Sequence, residues 1–178
     1  MKVLFLAEAV TWSQVVRSVL LATHLDARRF EVTFASARFD PLLFGETTFR
    51  RERLRSLSPE VVESRTKQAR RIYDAGTLTS YVDEELALFR RVRPDVVVSD
   101  LRWSTTISAP SAGIPLVTLV DGYWFRAAEA YPVPAHPLGD LFRPGDLRRG
   151  FDLVLPRILR FFAQPVNLLR ARFALPTF

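Results

Sequence analysis

The sequence predicts an α/β fold: a Rossmann-like, doubly wound parallel sheet in a single domain, followed by a C-terminal amphipathic helical segment. Three observations carry this. Two short, β-branched apolar runs without alternation, 96–98 and 116–120, each follow a proline turn (Arg93-Pro94 and Ile114-Pro115), which suits strands buried on both faces. Between them, 103–112 can form a crossover helix stopped by Gly113, giving a βαβ unit in about 25 residues. The chain also begins as strand, helix, strand, with KVLFLA at 2–7 and FEVTFA at 30–35. Crossover handedness leaves few topologies for such strands, and the expected order is 3-2-1-4-5.

The elements follow in order. After the first strand, Glu8 to Trp12 reads as a loop and Ser13 as the N-cap of a helix reaching about Leu25. Val15, Val16, Val19, Leu20 and Ala22 give that helix its core-facing stripe. No Gly-x-Gly-x-x-Gly follows the first strand, so the dinucleotide fingerprint is absent. Beyond the second strand, 40–57 is mostly loop, with RLRSL at 53–57 a short third strand. Ser58-Pro59-Glu60 starts a helix with a cap, a first-turn proline and a carboxylate at the positive dipole end, and it runs to near Gly76. A further helix carries Leu78, Val82, Leu86, Phe89 and Val92 on one face and delivers the chain to Pro94. Residues 1–124 thus form the expected core. A Pro-rich loop spans 125–146, and 147–178 is an amphipathic helical region of the same domain, which Pro156 and Pro165 should kink or restart.

Composition narrows the function classes. At 178 residues, with 48% apolar residues and 14 Phe, the chain can pack one sizeable core. It has no Cys, which excludes a disulfide framework, a thiolate metal site and a Cys nucleophile. Its two His, His24 and His136, lie far apart in sequence and argue against a His-based metal site. No run approaches the roughly 18 apolar residues of a membrane span. The opening MKVLFLAEAV does not read as a signal peptide, so a reducing cytoplasm is the expected location. The net charge of +6 comes mainly from Arg spread over many segments, with no DNA- or RNA-binding motif beside them, and no nucleic-acid partner is expected.

Three stretches, AEAVTWSQVVRSVLLATHLDARRFEVTFAS, PDVVVSDLRWSTTISAPSAGIPLVTLVDGYW and VPAHPL, occur in that order. Together they resemble the N-terminal, acceptor-binding half of GT-B, UDP-glycosyltransferase-like enzymes that decorate natural products and other lipophilic acceptors. The resemblance covers nearly the whole chain. It implies an inverting, metal-independent transferase with two Rossmann-like domains, in whose cleft a base deprotonates the acceptor hydroxyl. Two departures stand out. The family base, a His at the start of the first helix, falls on Gln14, and a neutral amide cannot accept a proton near neutral pH. His24 lies about ten residues further on, roughly 15 Å along the helix, too far to replace it. The donor half is absent from the sequence, so no cofactor is expected on this chain, and a nucleotide sugar is expected only with a donor-domain partner. The function implied is an acceptor-binding half, inactive alone. Its rival is a non-catalytic binding or auxiliary protein derived from a glycosyltransferase.

Polar residues cluster where strands end, the edge on which open α/β sheets bind ligands. Gln14 either orients an acceptor hydroxyl in a degraded catalytic position or satisfies the helix N-terminus. Asp100 is a catalytic or supporting carboxylate, or else the N-cap of the 103–112 helix. Asp121 is the better substitute base, set against ordinary turn chemistry. Trp12, Ser13, Trp103, Tyr123, Trp124 and Phe125 lie in or beside loops of this edge and suit a lipophilic acceptor pocket. Arg102 joins them, contacts a phosphate or pairs with Asp100. His136 reads as a surface-loop residue. Finally, 147–173 presents Phe151, Val154, Leu155, Ile158, Phe161, Phe162, Leu168, Leu169 and Phe173, more apolar surface than water tolerates. The expectation is a homodimer or a partner chain through this region, with an anionic membrane surface as the minor alternative.

Overall fold

The computed structural model describes residues 1–121 and 144–178, with side chains from Arg148 onward in the second stretch. Five strands form one sheet: β1 (Lys2–Ala7), β2 (Glu31–Ser36), β3 (Arg50–Arg53), β4 (Val96–Asp100) and β5 (Leu116–Leu119). Their order is β3-β2-β1-β4-β5, as the sequence predicts, and every pairing is parallel. β1 carries apolar side chains at successive positions because both its faces are covered. Val3, Phe5 and Ala7 pack with Phe34 and with Val15, Val19 and Ala22 of α1 (Trp12–Thr23). Leu4 and Leu6 face the other way, with Val97, onto Leu88, Phe89 and Val92 of the long helix Ala75–Val92 and Ala109 of the helix Thr105–Ser111. Phe34, fully buried, lies 6.0 Å from Phe5 in a stacked pair and meets Phe44 edge-on at 5.0 Å.

The register lines up the strand ends. Arg53 is opposite Ser36, Ser36 opposite Ala7, Ala7 opposite Asp100, and Asp100 opposite Leu119. A single row of carboxyl ends therefore crosses the sheet. The chain winds outward from β1 to β3, then returns past β1 to β4, so strand order reverses between β1 and β4, where such sheets open a crevice.

Several boundaries differ from expectation, each for a local reason. The third strand is 50–53 rather than 53–57, an edge strand of sequence RRER whose charges suit an unpaired edge. Thr11, not Ser13, is the N-cap of α1, with an extended backbone at φ −123° and ψ 155°. The expected loop 40–57 contains a single helical turn, α2 (Pro41–Phe44), because the Asp40 carboxylate accepts from the Leu42 N–H at 2.9 Å and Pro41 is preset for a first turn. The helix begun at Pro59, α3 (Pro59–Lys67), stops before Gly76, and Asp74 caps the next one, α4 (Ala75–Val92), through the Thr77 N–H at 2.7 Å. The crossover helix α5 (Thr105–Ser111) is shorter than expected and is closed by Gly113 at φ +67°, a backbone that favours glycine. α6 (Pro144–Arg172) runs through Pro156 and Pro165 without restarting, although each proline removes one donor and costs about 3 kcal/mol in a helix interior.

The described residues divide into two units, 1–119 with 165–178, and 120–164. In the first, the end of α6 joins a third core: Val166 and Leu169 pack with Tyr73, Leu78, Tyr81, Val82 and Ile107. Arg170 anchors it, donating through Nε to the Pro176 carbonyl at 2.6 Å and through Nη1 to that of Thr106. In the second, Arg148 pairs with Asp152 one turn away at 2.9 Å, Phe161 meets Phe162 edge-on at 5.3 Å, and Leu153, Val154, Ile158 and Phe161 are exposed. Tyr123, Trp124, Phe125, His136 and most of the expected Pro-rich loop lie outside the described residues. Among the described residues, no helix is long and apolar enough to cross a membrane.

Candidate functional site

The carboxyl edge carries an open crevice of about 590 Å³, within the range of small-molecule sites. The β1–α1 loop supplies Ala9, Val10, Thr11 and Trp12, and α1 adds Val15. The β2–α2 loop supplies Ala37, Arg38, Phe39 and Asp40, with Pro41 and Leu43 beyond it, while Arg53 and Pro59 close the third side. Apolar side chains form most of this lining. Trp12 is 59% exposed there, a large aromatic held at a cavity rather than in a core. Of the described residues expected at an acceptor or catalytic site, Trp12 lines it, whereas Ser13, Gln14, Asp100, Arg102 and Trp103 are outside its lining. Ser13 is exposed, its hydroxyl 2.9 Å from that of Thr11.

Between β1 and β4, two other candidates meet partners. The Gln14 side chain turns back so that Oε1 accepts the Thr11 N–H at 3.0 Å, and the residue is almost buried. This bond satisfies one backbone donor at the start of α1. Asp100 ends β4 and is buried. It is not the N-cap of α5, a place taken by Ser104. Instead its carboxylate accepts a fork from Arg17, Nη2 to Oδ1 at 2.8 Å and Nε to Oδ2 at 3.1 Å. Arg17 lies off the apolar stripe of α1 and is partly exposed, so no pattern in the sequence marks it as the partner of Asp100. Asp121 belongs to the second unit and is half-buried.

Below the crevice lies a buried polar cluster that the sequence did not announce. Leu101, at φ +49°, turns the chain sharply after β4. Arg102 then enters the interior instead of the surface, and pairs with neither Asp100 nor solvent. Its Nε donates to Glu85 at 2.6 Å, and its Nη1 donates to Glu8 at 3.1 Å and to the Arg55 carbonyl at 2.7 Å. Its guanidinium stands over the Tyr81 ring at 4.1 Å. Glu8 also accepts from Ser56 and, at 3.3 Å, from Tyr81, while Ser104 and Ser108 both donate to Glu85. Burial pushes the Glu8 carboxyl above the usual carboxylate range, against the opposing pull of Arg102, Ser56 and Tyr81. Burial likewise raises the Tyr73 and Tyr81 hydroxyls, with Glu8 adding to it. For Arg102, burial lowers and the two carboxylates raise, and the carboxylates prevail. Nη2 of Arg102 is buried without a hydrogen-bond partner, 4.0 Å from a Glu84 carboxylate oxygen. Trp103 is half-buried and tilts against Tyr73 at 5.7 Å, in the third core rather than the crevice.

Among the described residues there is no group of three or more His, Asp or Glu able to hold a metal ion. What the edge can do is seat a lipophilic molecule beside two guanidinium groups, Arg38 and Arg53. It has no imidazole at the start of α1 to take a proton.

No protein-family model matches the chain. Its sequence is, however, similar along almost its whole length to curated mycobacterial glycosyltransferases. One, from Mycobacterium bovis, is named "Inactive PGL/p-HBAD biosynthesis glycosyltransferase" and is 34% identical over 98% of this chain and 48% of the relative. A "PGL/p-HBAD biosynthesis glycosyltransferase" of Mycobacterium tuberculosis is 34% identical over 98% of this chain and 41% of its own. A "PGL/p-HBAD biosynthesis rhamnosyltransferase" of Mycobacterium bovis is 35% identical over 98% and 39%. The chain thus spans less than half the length of these relatives. Among solved structures, the Streptomyces glycosyltransferase SsfS6 superposes on the full chain and 47% of its own length, with a TM-score of 0.61 at 20% identity. The spinosyn forosaminyltransferase SpnP does so over 43% of its length, with a TM-score of 0.54 at 19% identity. These likenesses establish the Rossmann-like fold found in GT-B glycosyltransferases.

Proposed function

We propose that this homologue of glycosyltransferases is the acceptor-binding half of a nucleotide-sugar-dependent, inverting GT-B enzyme, inactive on its own. The acceptor is a lipophilic small molecule, of the kind handled in PGL/p-HBAD biosynthesis, seated in the crevice between the loops after β1 and β2. The observation that carries this reading is relatedness along 98% of the chain to transferases of which it spans less than half. An apolar crevice at the carboxyl edge supplies the complementary chemistry.

Glycosyl transfer requires the acceptor hydroxyl to lose its proton as it attacks the anomeric carbon. Gln14, at the position the resemblance assigns to the base, has no basic atom, and its oxygen is engaged by Thr11. Asp100 is engaged by Arg17. This arrangement, with an inactive relative, favours one second reading: a non-catalytic auxiliary protein that keeps the acceptor crevice without the chemistry.

The test is sugar transfer from a panel of nucleotide sugars, by the chain alone and mixed with a donor-domain chain, using the native protein, Gln14→His and Asp121→Asn. The expected result is no transfer by the chain alone and transfer by the mixture that rises with Gln14→His. Robust turnover by the isolated chain overturns the half-enzyme reading. Acceptor binding with no transfer by any of the three mixtures supports the auxiliary one.

A further inference from the structure

We propose that the crevice selects acceptors bearing an anionic group on their apolar body, and that Arg38 and Arg53 read that group. This rests on the crevice being the acceptor site. The placement of the two arginines follows from the sheet. Arg53 ends β3 opposite Ser36, the last residue of β2, and Arg38 follows Ser36 by two residues. Both side chains therefore line the same cavity from neighbouring strand ends.

Charge at the crevice is unbalanced. Among the described residues, its lining holds two arginines and one carboxylate, Asp40, a net charge of +1. The Asp40 carboxylate is turned to the Leu42 N–H, where it caps α2. Glu60 lies outside the lining; the Ser58 hydroxyl holds it below the usual carboxylate range, and Arg38 is the least of its influences. Arg53 makes a long contact from Nη1 to the Ala37 carbonyl at 3.4 Å, leaving most of its fork to a ligand. Apart from Thr11, the rest of the described wall, including Val10, Trp12, Val15, Phe39 and Leu43, is apolar. A molecule suited to both parts has an aromatic or alkyl body and a carboxylate-like end. Both guanidinium groups are solvent-exposed, so each contact is worth only a few-fold in affinity and is weakened by salt.

The experiment is direct binding to the 178-residue chain by titration calorimetry, without any sugar donor. The probes are 6-hydroxy-2-naphthoate and its neutral methyl ester, which share one body. The acid is expected to bind roughly tenfold tighter than the ester at low ionic strength, an advantage that shrinks as salt rises. The double substitution Arg38→Gln with Arg53→Gln should remove that advantage, so that acid and ester bind with similar affinity. Leu43→Trp, which fills the crevice, should weaken both probes. Equal binding of acid and ester, still abolished by Leu43→Trp, overturns the charge inference and leaves the acceptor site standing. A preference that survives the double substitution overturns it too. No binding of either probe, or binding indifferent to Leu43→Trp, overturns the acceptor-site reading and this inference together.

Discussion

Replacing Arg102 by Met would test whether the cluster below the crevice holds the fold or serves the ligand. The change keeps an unbranched side chain but deletes the charge that faces Glu8 and Glu85, both fully buried. Two charge-assisted bonds are lost, at about 1.5–3 kcal/mol each, with one bond to the Arg55 carbonyl and a stacking contact on Tyr81. Removing the unpaired Nη2 returns about 1–3 kcal/mol. The balance is a loss of roughly 3–5 kcal/mol at neutral pH, the range for breaking one side of a buried pair. The loss should depend on pH with a definite sign. Glu8 already has a raised carboxyl pKa, so its favourable contribution is complete below the unfolded value and disappears as pH rises through the folded one. Without Arg102 nothing cationic opposes that rise, so the gap between variant and native protein should widen from about pH 4 to pH 7, by at most about 1.4 kcal/mol per pH unit for each proton involved. Urea unfolding at several pH values, with unchanged m, measures it. A variant within about 1 kcal/mol of the native protein at pH 7, or a loss that ignores pH, would refute the assignment of Arg102 to a structural ion cluster.

Three smaller perturbations follow from caps and turns. Gln14→Ala removes the acceptor that holds the Thr11 N–H, and should cost about 1 kcal/mol, or about 3 °C in Tm by thermal melting. Asp74→Ala removes the cap of α4 and should cost about 1 kcal/mol at neutral pH. The Thr77 N–H holds the Asp74 carboxyl below its ordinary range, so this difference should shrink as acid unfolding curves are taken down through the folded pKa. Gly113→Ala should cost about 1 kcal/mol although nothing lies within 4 Å of the added methyl, because the penalty is in the backbone at φ +67°; equal denaturation midpoints for the two proteins would contradict this.

Sheet order, parallel pairing and the main helices were legible because each rests on a local pattern that burial enforces. The uninterrupted run in β1 exists because two helical layers cover it, and the stripe of α4 exists because one face meets the sheet. The site was less legible, for two reasons. First, caps hide in loops: Thr11 and Ser13 are both good N-caps, and only the backbone decides between them. Second, the buried cluster joins residues far apart in sequence, Glu8, Ser56, Glu85 and Arg102, through a turn at Leu101 that no residue type announces. One trace of it was readable. Glu85 interrupts the stripe of Leu78, Tyr81, Val82, Leu88, Phe89 and Val92, and a charge on a core-facing stripe needs a buried partner. Glu8, directly after the buried run of β1, carried the same signal.

That cluster also explains how an apolar crevice can stand on loops. The β1–α1 loop is pinned at Glu8 by Arg102, Ser56 and Tyr81, and one residue later the Ala9 N–H donates to Ser56 at 3.1 Å. Ala9 is already crevice wall, and Thr11, held by Gln14, is the next fixed point. The residues between these anchors have little freedom left to lose when a ligand arrives, so binding need not spend free energy on ordering them. On the other side, Asp40 holds the first turn of α2 and so fixes Phe39 and Pro41. Trp12 is 59% exposed and lies beyond the last anchor of the first loop, so its ring has room to adjust. On the proposed reading of the crevice, its shape comes from buried polar groups outside its lining, and contacts with an acceptor would come from residues whose own contribution to stability is small. Changes at Arg102 should act on the whole fold, whereas changes at Trp12, Arg38 and Arg53 should act on binding while the chain stays folded.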